Sequence, residues 1–319
     1  MGLHFRWRCG IIQEQKQVVG LLRKIQLLEF FMNILIIGGT RYFGIPMTND
    51  LIGKGHTITI ATRGKTPDLY GDLVSRIIFD KADENSIIKS FNGKYYDVII
   101  DKIAYSSNDV KRLLDHVRCG KYILMSSSAV YKDIHANTSE EDFSAERYSL
   151  KWCERSDYDY AEVKRQAECA VVQQFSDQNY IAVRYPVVIG NTDYTKRLYF
   201  YIECIQNGTP MFIDDMDSRI SFIHENDAGL FLSHLVDTEI SRAINGCSDG
   251  DISLREMICY IEERLNKKAI ITPNGTPAPY NGYPEYATLN TSKAKQTGFS
   301  FSGIKDRFYE TIDHYIQSL

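Results

Sequence analysis

The sequence predicts an α/β protein in which a doubly wound parallel sheet is followed by a smaller C-terminal lobe. From residue 32 to about residue 185, short apolar runs alternate with amphipathic segments, the pattern of buried strands covered by helices on both faces of a sheet. A glycine-rich turn follows the first apolar run. After Pro186 the alternation stops, and Gly, Pro and aromatic residues become frequent, as in the loop sequence PNGTPAPYNGYP.

The individual elements follow from local patterns. Residues 33–37 and 96–100 are apolar runs typical of buried parallel strands, and residues 56–61 alternate Thr with Ile. Shorter runs of the same kind predict strands at 75–79, 121–125 and 180–184. The helical spacing of apolar residues predicts helices at 43–53, 108–116, 158–175, 253–266 and 304–317. We also expect about residues 220–245 to return to the first domain.

The composition restricts the class of protein. Of the 319 residues, 44% are hydrophobic and 24% are charged, which is enough to form a buried core. The net charge of −4 argues against a surface that binds nucleic acid, and no apolar run approaches the roughly 18 residues that cross a membrane. The seven cysteines are scattered, which indicates a reducing, cytoplasmic location, and no Cys/His cluster indicates a metal site.

The first 31 residues differ from the rest. They carry five Lys or Arg against two Glu, without the continuous apolar stretch of a signal peptide. Because Met32 begins the sequence MNILIIGGT, we interpret residues 1–31 as an extension that is not part of the native protein. The alternative is a genuine amphipathic helix from about Gln13 to Phe31, and N-terminal sequencing of the native protein distinguishes the two.

The segment 38–44, with the sequence GGTRYFG, lies between the first predicted strand and the first predicted helix. Such a turn directs free backbone N–H groups and the positive end of the helix toward a bound pyrophosphate. Gly38 allows the tight turn, and Gly44 allows the helix to approach the sheet. The predicted dinucleotide site in this segment comprises Gly38, Thr40, Arg41, Tyr42, Phe43 and Gly44.

The end of the second predicted strand bears on the choice of dinucleotide. A carboxylate there binds the ribose hydroxyls of NAD(H), but this strand ends in the sequence ATRG. Arg63, together with Arg41, is suited to bind a 2′-phosphate through charge-assisted hydrogen bonds. The sequence therefore favours NADP(H) over NAD(H) without excluding the latter.

Tyr160 and Lys164 lie four residues apart on one face of a predicted helix. A nearby ammonium lowers the pKa of a tyrosine from about 10, as a general base acting on an alcohol requires. The preceding strand ends in the hydroxyl-rich sequence MSSSAVY, at the ligand-binding edge of a parallel sheet. These residues predict proton transfer to or from a substrate hydroxyl.

Taken in order, the motifs GGTRYFG, SSSAVY, YAEVK, RYPVVIG and SFIHENDAG resemble those of the extended short-chain dehydrogenases/reductases, also called the NAD-dependent epimerase/dehydratase family. The resemblance extends from Met32 to near the C-terminus and is of the UDP-glucose 4-epimerase type. It implies a Rossmann domain that binds NAD(P) at residues 32–185 and a substrate-binding lobe at residues 186–319.

The resemblance also implies roles for individual residues. Ser127 orients the substrate oxygen, Tyr160 exchanges its proton, and Lys164 also holds the nicotinamide ribose, while a hydride passes between a substrate carbon and the nicotinamide. Further residues are assigned to the cofactor, with Asp80 and Lys81 near the adenine and the others along the remainder of the molecule: Ile103, Ala104, Ser126, Tyr185, Pro186 and Val188.

The sequence departs from the family pattern at several points. Arg41 replaces the middle glycine of G-x-x-G-x-x-G, a variant that looks like an atypical branch that includes chloroplast stem-loop RNA-binding proteins. Ser128 and Ala129 stand where dehydratases carry Asp-Glu, which argues against dehydratase chemistry. We interpret the acidic segment between Ser127 and Tyr160 as a solvated loop rather than a lid.

Other polar residues carry less information. We interpret His224 and Asp227 as a strand end and a helix cap rather than as catalytic residues. Lys196, Arg197 and Arg219 are either ligands of a substrate diphosphate or surface cations, and the sequence leaves both alternatives open.

The predicted function is an NAD(P)-dependent epimerase or reductase acting on a hydroxyl-bearing substrate such as a nucleotide sugar. No membrane or nucleic-acid partner is predicted, and the resemblance is compatible with a homodimer. The alternative is a cofactor-sensing or RNA-associated binding protein of the atypical branch, with little or no redox turnover. A salt-dependent affinity for RNA that survives Tyr160→Phe would favour this alternative.

Overall fold

A parallel sheet of seven strands forms the centre of the first half of the protein. The computed structural model describes residues 31–319, so the helix predicted from about residue 13 falls outside the described residues, except for Phe31 at its end. The strands are β1 (Asn33–Ile37), β2 (Thr57–Thr62), β3 (Val74–Ile78), β4 (Lys94–Asp101), β5 (Val117–Met125), β6 (Tyr180–Arg184), β7 (Val187–Ile189), β8 (Met211–Phe212), β9 (Arg219–Ile220), β10 (Phe222–His224), β11 (Arg242–Asn245), β12 (Ile252–Ser253), β13 (Thr276–Pro277) and β14 (Tyr286–Ala287).

The strand order in the large sheet is β11-β6-β5-β4-β1-β2-β3, and every neighbouring pair is parallel. The helices are α1 (Gly44–Gly53), α2 (Glu84–Phe91), α3 (Ser107–Leu114), α4 (Tyr160–Cys169), α5 (Arg197–Asn207), α6 (Glu225–Val236), α7 (Leu254–Leu265), α8 (Ser292–Gln296) and α9 (Ile304–Gln317). The order reverses between β1 and β4, and in doubly wound sheets such a switch point is where ligands bind. The predicted fold class is confirmed.

The helix predicted at 158–175 is shorter and less regular than expected. It begins at Tyr160 because the Asp159 side chain caps it, accepting a 2.7 Å hydrogen bond from the Glu162 N–H. After Cys169 the chain widens into a π-helical turn at Ala170–Gln174. The cap residue was visible in the sequence, whereas the wider turn has no local signal.

Residues from about 220 to 245 contact the N-terminal sheet. Strand β11 extends the sheet beside β6, and α6 packs closely against α1. At the crossing, a Cβ atom on Gly229 would lie 2.6 Å from the Phe43 carbonyl oxygen and 2.8 Å from the Met47 nitrogen. The buried Lys121 ammonium of β5 donates a 2.8 Å hydrogen bond to the Val236 carbonyl at the end of α6.

The C-terminal part has its own hydrophobic core, formed by α5, α7, α9 and short strands. Its centre is aromatic, with Phe222 packed edge-on against Phe308 at 4.9 Å between ring centroids and Tyr201 stacked on Tyr280 at 5.4 Å. Residues 33–319 form one compact unit, and the predicted domain boundary at residue 185 stays a prediction. In the described part of the chain, no helix has both the length and the hydrophobicity that a membrane span requires.

Candidate functional site

A cavity of about 940 Å³ lies at the carboxyl ends of the sheet strands, and it is lined by sixteen of the eighteen site residues predicted from the sequence. Gly44 and Ala104 do not line it. The sixteen are Gly38, Thr40, Arg41, Tyr42, Phe43, Arg63, Asp80, Lys81, Ile103, Ser126, Ser127, Tyr160, Lys164, Tyr185, Pro186 and Val188. The fold therefore brings the predicted catalytic and cofactor residues to one place, and their roles stay predictions.

The loop between β1 and α1 has the shape of a phosphate cradle. Gly38 has φ +79°, in the region that favours glycine, and its N–H donates to the Ala61 carbonyl at 3.0 Å. A Cβ on Gly44 would lie 2.8 Å from the Gly39 carbonyl oxygen, which explains why Gly44 matters without lining the cavity. Within the described chain, the N–H groups of residues 40–43 donate to no protein acceptor. Such groups at the start of a helix fit a bound pyrophosphate.

Lys102 is a cavity residue that the sequence analysis missed. Its Nζ lies 3.3 Å from the Arg41 carbonyl oxygen and 4.0 Å from the centroid of the Phe43 ring. Burial lowers the pKa of Lys102 to about 7. The available signal was its position, since a charged residue directly after the apolar run of β4 lies at the ligand-binding edge of the sheet.

The end of β2 presents cations to the cavity rather than a carboxylate. Arg63, Lys65 and Thr66 line it there. On the opposite side of the loop, the Arg41 guanidinium stacks on the ring of Tyr194, 4.2 Å from its centroid. The ion pairs of residues 31–319 include neither Arg41 nor Arg63, so both remain available to an anionic ligand.

Asp80 and Lys81 line the cavity after β3, and both have partners within the protein. The Asp80 carboxylate accepts a 3.0 Å hydrogen bond from the Ala82 N–H. The Lys81 ammonium donates at 2.9 Å to Asp109 and also donates to the Ile103 carbonyl. Lys81 thereby fixes the chain that follows β4, next to the cavity.

Lys164 is buried beneath the cavity floor. Its ammonium donates hydrogen bonds to the Ala104 carbonyl at 2.8 Å and to the Met125 carbonyl at 2.7 Å. Ala104 therefore contributes its carbonyl to Lys164 rather than a surface to the cavity. Burial, and to a lesser degree the charge of Lys81, lower the pKa of Lys164 to about 7.

Tyr160 is half-exposed to the cavity, with the Lys164 Nζ 6.0 Å from its ring centroid. Removal from bulk water raises the pKa of Tyr160, whereas its interaction with the Ser127 hydroxyl and the charges of Arg197 and Arg155 lower it, and the increase dominates. The expectation that Lys164 lowers the pKa of Tyr160 below its ordinary value is wrong for this arrangement. The reason is that the ammonium is directed at two carbonyls and burial outweighs the favourable charges.

Ser126 and Ser127 have different environments at the end of β5. The Ser127 hydroxyl caps a short turn, accepting from the Ala129 N–H at 3.2 Å, and interacts with Tyr160. The Ser126 hydroxyl instead donates to the buried Glu168 carboxylate of α4. Of the two hydroxyls, Ser127 is therefore the one that lies beside Tyr160 in the cavity.

A buried ion pair supports this strand end. The Arg184 guanidinium at the end of β6 donates to both Glu168 oxygens, at 3.0 and 2.7 Å, and both side chains are at most 2% exposed. It also donates to the carbonyls of Glu140 and Phe143. The acidic segment predicted to be a solvated loop is thus fixed at these two carbonyls, while Glu141 and Asp142 are exposed.

The C-terminal part closes the cavity from the other side. It contributes Arg197 together with Tyr194, Thr195, Gly282 and Tyr283. Lys196 and Arg219, the other proposed ligands of a substrate diphosphate, do not line the cavity. Arg219 is instead paired with Asp251 at 2.6 Å and with Glu256 at 3.3 Å.

His224 and Asp227 hold the chain rather than line the cavity. The His224 Nδ1 accepts from the Asn226 N–H at 3.3 Å and caps α6. The buried Asp227 carboxylate accepts from the hydroxyls of Ser248 at 2.6 Å and Ser302 at 2.8 Å. Their interpretation as structural residues agrees with these contacts.

The cavity lining is rich in basic residues although the whole chain has a net charge of −4. Among residues 31–319, Asp80 is the one acidic residue in its lining. The eight basic residues are Arg41, Arg63, Lys65, Lys81, Lys102, Arg155, Lys164 and Arg197. Such a lining attracts a ligand with several negative charges. Over residues 31–319, no cluster of three or more His, Cys, Asp or Glu side chains is arranged to hold a metal ion.

The protein combines a loop with the shape of a phosphate cradle, a Tyr/Lys/Ser group and a doubly wound sheet. Together these features define a nucleotide-binding protein of the Rossmann class. The sequence profile of the NAD dependent epimerase/dehydratase family matches residues 34–245, and the chain belongs to this family. The resemblance stated from the motifs is thereby confirmed.

Individual relatives agree with this assignment. The chloroplast stem-loop binding protein of 41 kDa b from Arabidopsis thaliana is 26% identical over 230 residues, which are 66% of this chain and 57% of that protein. The chain therefore spans less than two thirds of that relative's length. The UDP-glucose 4-epimerase of Thermus thermophilus, solved with NAD, has a TM-score of 0.65 and 16% identity over 90% of this chain and 99% of that one. The UDP-glucose 4-epimerase of Thermotoga maritima, solved with UDP-glucose, has a TM-score of 0.68 and 14% identity over 90% and 99%. At such identities the two structures show a common fold.

Proposed function

We propose that this protein is an NAD(P)-dependent epimerase or reductase that acts on a hydroxyl-bearing substrate, in particular a nucleotide sugar. The observation that carries the proposal is that Ser127, Tyr160 and Lys164 line the same cationic cavity as the free N–H groups of residues 40–43. The first set is suited to move a proton at a carbinol, and the second to bind a pyrophosphate. Of the two epimerase structures of similar fold, one was solved with NAD and the other with UDP-glucose. These ligands agree with a site that binds a dinucleotide beside a nucleotide sugar.

The protein residues have distinct tasks in the proposed reaction. A nicotinamide bound in this cavity would supply the hydride donor or acceptor. In the proposed reaction, Ser127 donates a hydrogen bond to the substrate oxygen. Tyr160 accepts the carbinol proton in its deprotonated form, or donates that proton from its hydroxyl form in the reverse direction. Lys164, fixed by two carbonyls, places a positive charge or a hydrogen-bond donor beneath Tyr160. Residues 40–43, with Lys102 beside them, bind the pyrophosphate.

We propose that NADP(H) is preferred over NAD(H). The support is the basic lining at the end of β2, where Arg63 and Lys65 face the cavity and Arg41 lies across the loop. A 2′-phosphate placed there would gain charge-assisted hydrogen bonds, whereas a free ribose would meet no carboxylate at this strand end.

The proposal is tested by thermal melts of the purified protein with NADPH, NADP⁺, NADH and NAD⁺, each alone and with UDP-, GDP- and dTDP-sugars. A ligand at 100 times its dissociation constant stabilises the folded state by about 2.7 kcal/mol, which a melt detects. We expect the largest shift with NADP(H) and a further shift with one nucleotide sugar. Arg63→Gln should remove the preference, while Arg147→Gln, an exposed residue outside the cavity, should not. The absence of a shift with every dinucleotide, in protein shown to carry no retained cofactor, would contradict the proposal.

A second candidate function is RNA binding with little or no redox turnover. The observations that favour it are the printed name of the Arabidopsis relative and the excess of basic residues in the cavity. The test is a titration with an RNA stem-loop at increasing salt, using the wild-type chain and Tyr160→Phe. Salt-dependent affinity that is equal in both proteins, without dinucleotide binding, would favour this second function.

A further inference from the structure

The Arg41 side chain of the phosphate cradle contacts a residue from the C-terminal part of the protein. Its guanidinium carbon lies 4.2 Å from the ring centroid of Tyr194. In the described part of the chain, this guanidinium has neither a carboxylate partner nor a hydrogen-bond acceptor. A guanidinium uses its planar face against an aromatic ring and keeps the N–H groups at its edge for an anion. Arg41 is therefore able to hold Tyr194 and a phosphate at the same time.

The contact is flanked on both sides by backbone that is uncommon for residues other than glycine. Tyr42, in the cradle, has φ +57°, and its buried ring lies edge-on to Tyr194 at 6.0 Å between centroids. Lys196, at the start of α5, has φ +55°. Such residues persist only where the surrounding structure holds them, and they concentrate at functional sites. The fold therefore enforces the contact between the cradle and Tyr194.

The turn that carries Tyr194 is fixed by two buried carboxylates. Asp193 accepts hydrogen bonds from the N–H of Thr195 at 2.9 Å and from its hydroxyl at 2.6 Å. Glu225, at the start of α6, accepts from the N–H of Thr192 at 3.3 Å and also from its hydroxyl. The Tyr194 ring itself is half-exposed and lines the cavity. It thus presents a fixed surface on which the Arg41 guanidinium lies.

The strand order shows which part of a dinucleotide Arg41 faces. Arg63 follows β2, which adjoins β1 on one side, whereas β4, β5 and β6 lie on the other side. The chain reaches Tyr194 from β6 by way of β7, and Lys102, which donates to the Arg41 carbonyl at 3.3 Å, follows β4. The contact with Tyr194 therefore directs the Arg41 side chain away from Arg63. It remains beside the segment 40–43, whose N–H groups have no acceptor in the described chain.

We infer that the Arg41 side chain binds the phosphates common to NAD(H) and NADP(H), and that Tyr194 positions its guanidinium for this contact. The inference rests on the proposed dinucleotide site and divides the cations of that site by task. Recognition of a 2′-phosphate then belongs to Arg63 and Lys65 without Arg41. Tyr194 becomes a positioning residue for the cofactor that is supplied by the chain after β7.

The test measures the dissociation constants of NADPH and NADH by calorimetry. Arg41→Gln should weaken the binding of both by about tenfold, the scale of hydrogen bonds to a charged group, and leave their ratio unchanged. Tyr194→Ala should weaken both by about threefold, whereas Tyr194→Phe, which keeps the ring, should equal the wild type. In the double variant Arg41→Gln/Tyr194→Ala, the tyrosine substitution should add nothing, because Tyr194 acts through Arg41.

The matched controls are Arg147→Gln and Tyr286→Ala, which change exposed residues outside the cavity and should bind both dinucleotides as the wild type does. An unchanged melting temperature without ligand verifies that each variant is folded. If Arg41→Gln weakened NADPH alone, or neither ligand, the inference would be overturned and the proposed function would stand. A further loss from Tyr194→Ala in the absence of Arg41 would overturn the positioning role. Failure of the wild type to bind either dinucleotide, in protein shown to carry no retained cofactor, would overturn the proposed function as well.

Discussion

Lys164 and Tyr160, the proposed reactive residues, are held by contacts of unequal rigidity. Lys164 is fixed from two sides by the carbonyls of Ala104 and Met125, whereas Tyr160 is half-exposed at the first position of α4. For the proposed proton exchange, this arrangement provides a fixed Lys164 side chain and an accessible Tyr160 hydroxyl. The proposed proton exchange therefore depends on the position of single atoms, the Tyr160 hydroxyl oxygen and the Lys164 Nζ.

Removal of the Tyr160 hydroxyl should therefore reduce turnover without preventing cofactor binding. We expect Tyr160→Phe to lose at least ~10²-fold in turnover, the usual scale for a general acid/base. The measurement is steady-state turnover of the sugar identified in the melts, together with the NADP⁺ dissociation constant. Turnover equal to that of the wild type would remove Tyr160 from the mechanism.

Lys102 should make stability depend on pH. Its pKa is about 7 when folded and about 10.5 when unfolded, so the unfolded chain binds more protons between these values and stability rises with pH in that window. The cost of burying the cation is largest below about pH 7. Relative to the wild type, Lys102→Met should therefore melt higher at pH 6 than at pH 9.

We expect the difference in melting temperature between Lys102→Met and the wild type to fall by at least about 2 °C from pH 6 to pH 9, which corresponds to about 1 kcal/mol or less in a chain of this size. The control is Lys132→Met, which removes an exposed lysine. The measurement is thermal unfolding of the ligand-free protein in buffers of equal ionic strength. A difference that does not change with pH would show that Lys102 keeps an ordinary pKa.

The elements around the site are joined by the buried pair of Glu168 on α4 and Arg184 on β6. Because Arg184 also binds the carbonyls of Glu140 and Phe143, one guanidinium connects the sheet, helix α4 and the acidic segment. Ser126 on β5 shares the Glu168 carboxylate. The alignment of three elements at the site therefore depends on one ion pair.

Breaking that pair should be costly. Glu168→Gln leaves Arg184 buried without a full counter-charge, and the loss of a partner from a buried pair costs about 3–5 kcal/mol in the free energy of unfolding. The measurement is urea denaturation. The matched control is Glu310→Gln, whose partner Arg307 is exposed, and it should cost about 1 kcal/mol or less. Equal effects of the two substitutions would show that the buried pair is not the tie between these elements.

The elements differed in how well local sequence predicted them. The six strands and α9 were predicted because they are apolar runs or strongly amphipathic, and α9 agrees at both ends. Helix α2 was missed because it is short and mostly polar, with only Asp83 as a cap signal. The position of β11 beside β6 is set by tertiary pairing that no local pattern contains.

The same distinction applies to the site. The loop at 38–44 and the Tyr160–Lys164 pair could be predicted because their spacing is local in the chain. Tyr105, Arg155 and Tyr194 could not be predicted as cavity residues, because they reach the cavity only when separate segments of the chain meet. Arg219 forms an ion pair with a carboxylate distant in sequence, which local sequence does not indicate. The direction of the Tyr160 pKa also depends on burial, which only the folded chain defines.

Charge is distributed unevenly over the whole molecule. The chain is acidic overall, yet the cavity lining holds eight basic residues and one acidic residue, and walls from both lobes surround it. Such a distribution concentrates anionic ligands at the cavity. The predicted homodimer and the predicted cytoplasmic location stay predictions.

Dinucleotide binding should therefore weaken with salt. We expect the NADPH dissociation constant to rise at least ~3-fold between 50 and 500 mM NaCl, because salt screens charges at the partly exposed cavity. The measurement is calorimetry at two salt concentrations. Adenosine, which has no phosphate, is the control ligand and should show little change. A dissociation constant for NADPH that is insensitive to salt would mean that the basic lining does not act on the ligand.

The crossing of α6 over α1 makes the geometry of the cavity depend on a residue that lies outside its lining. A methyl group at Gly229 would displace the backbone at Phe43 and Met47, where the phosphate cradle passes into α1. Gly229 therefore affects the cradle although it does not line the cavity. In a deep mutational scan scored by activity, this position should tolerate almost no replacement, and its pattern of losses should match that of a residue in the cradle.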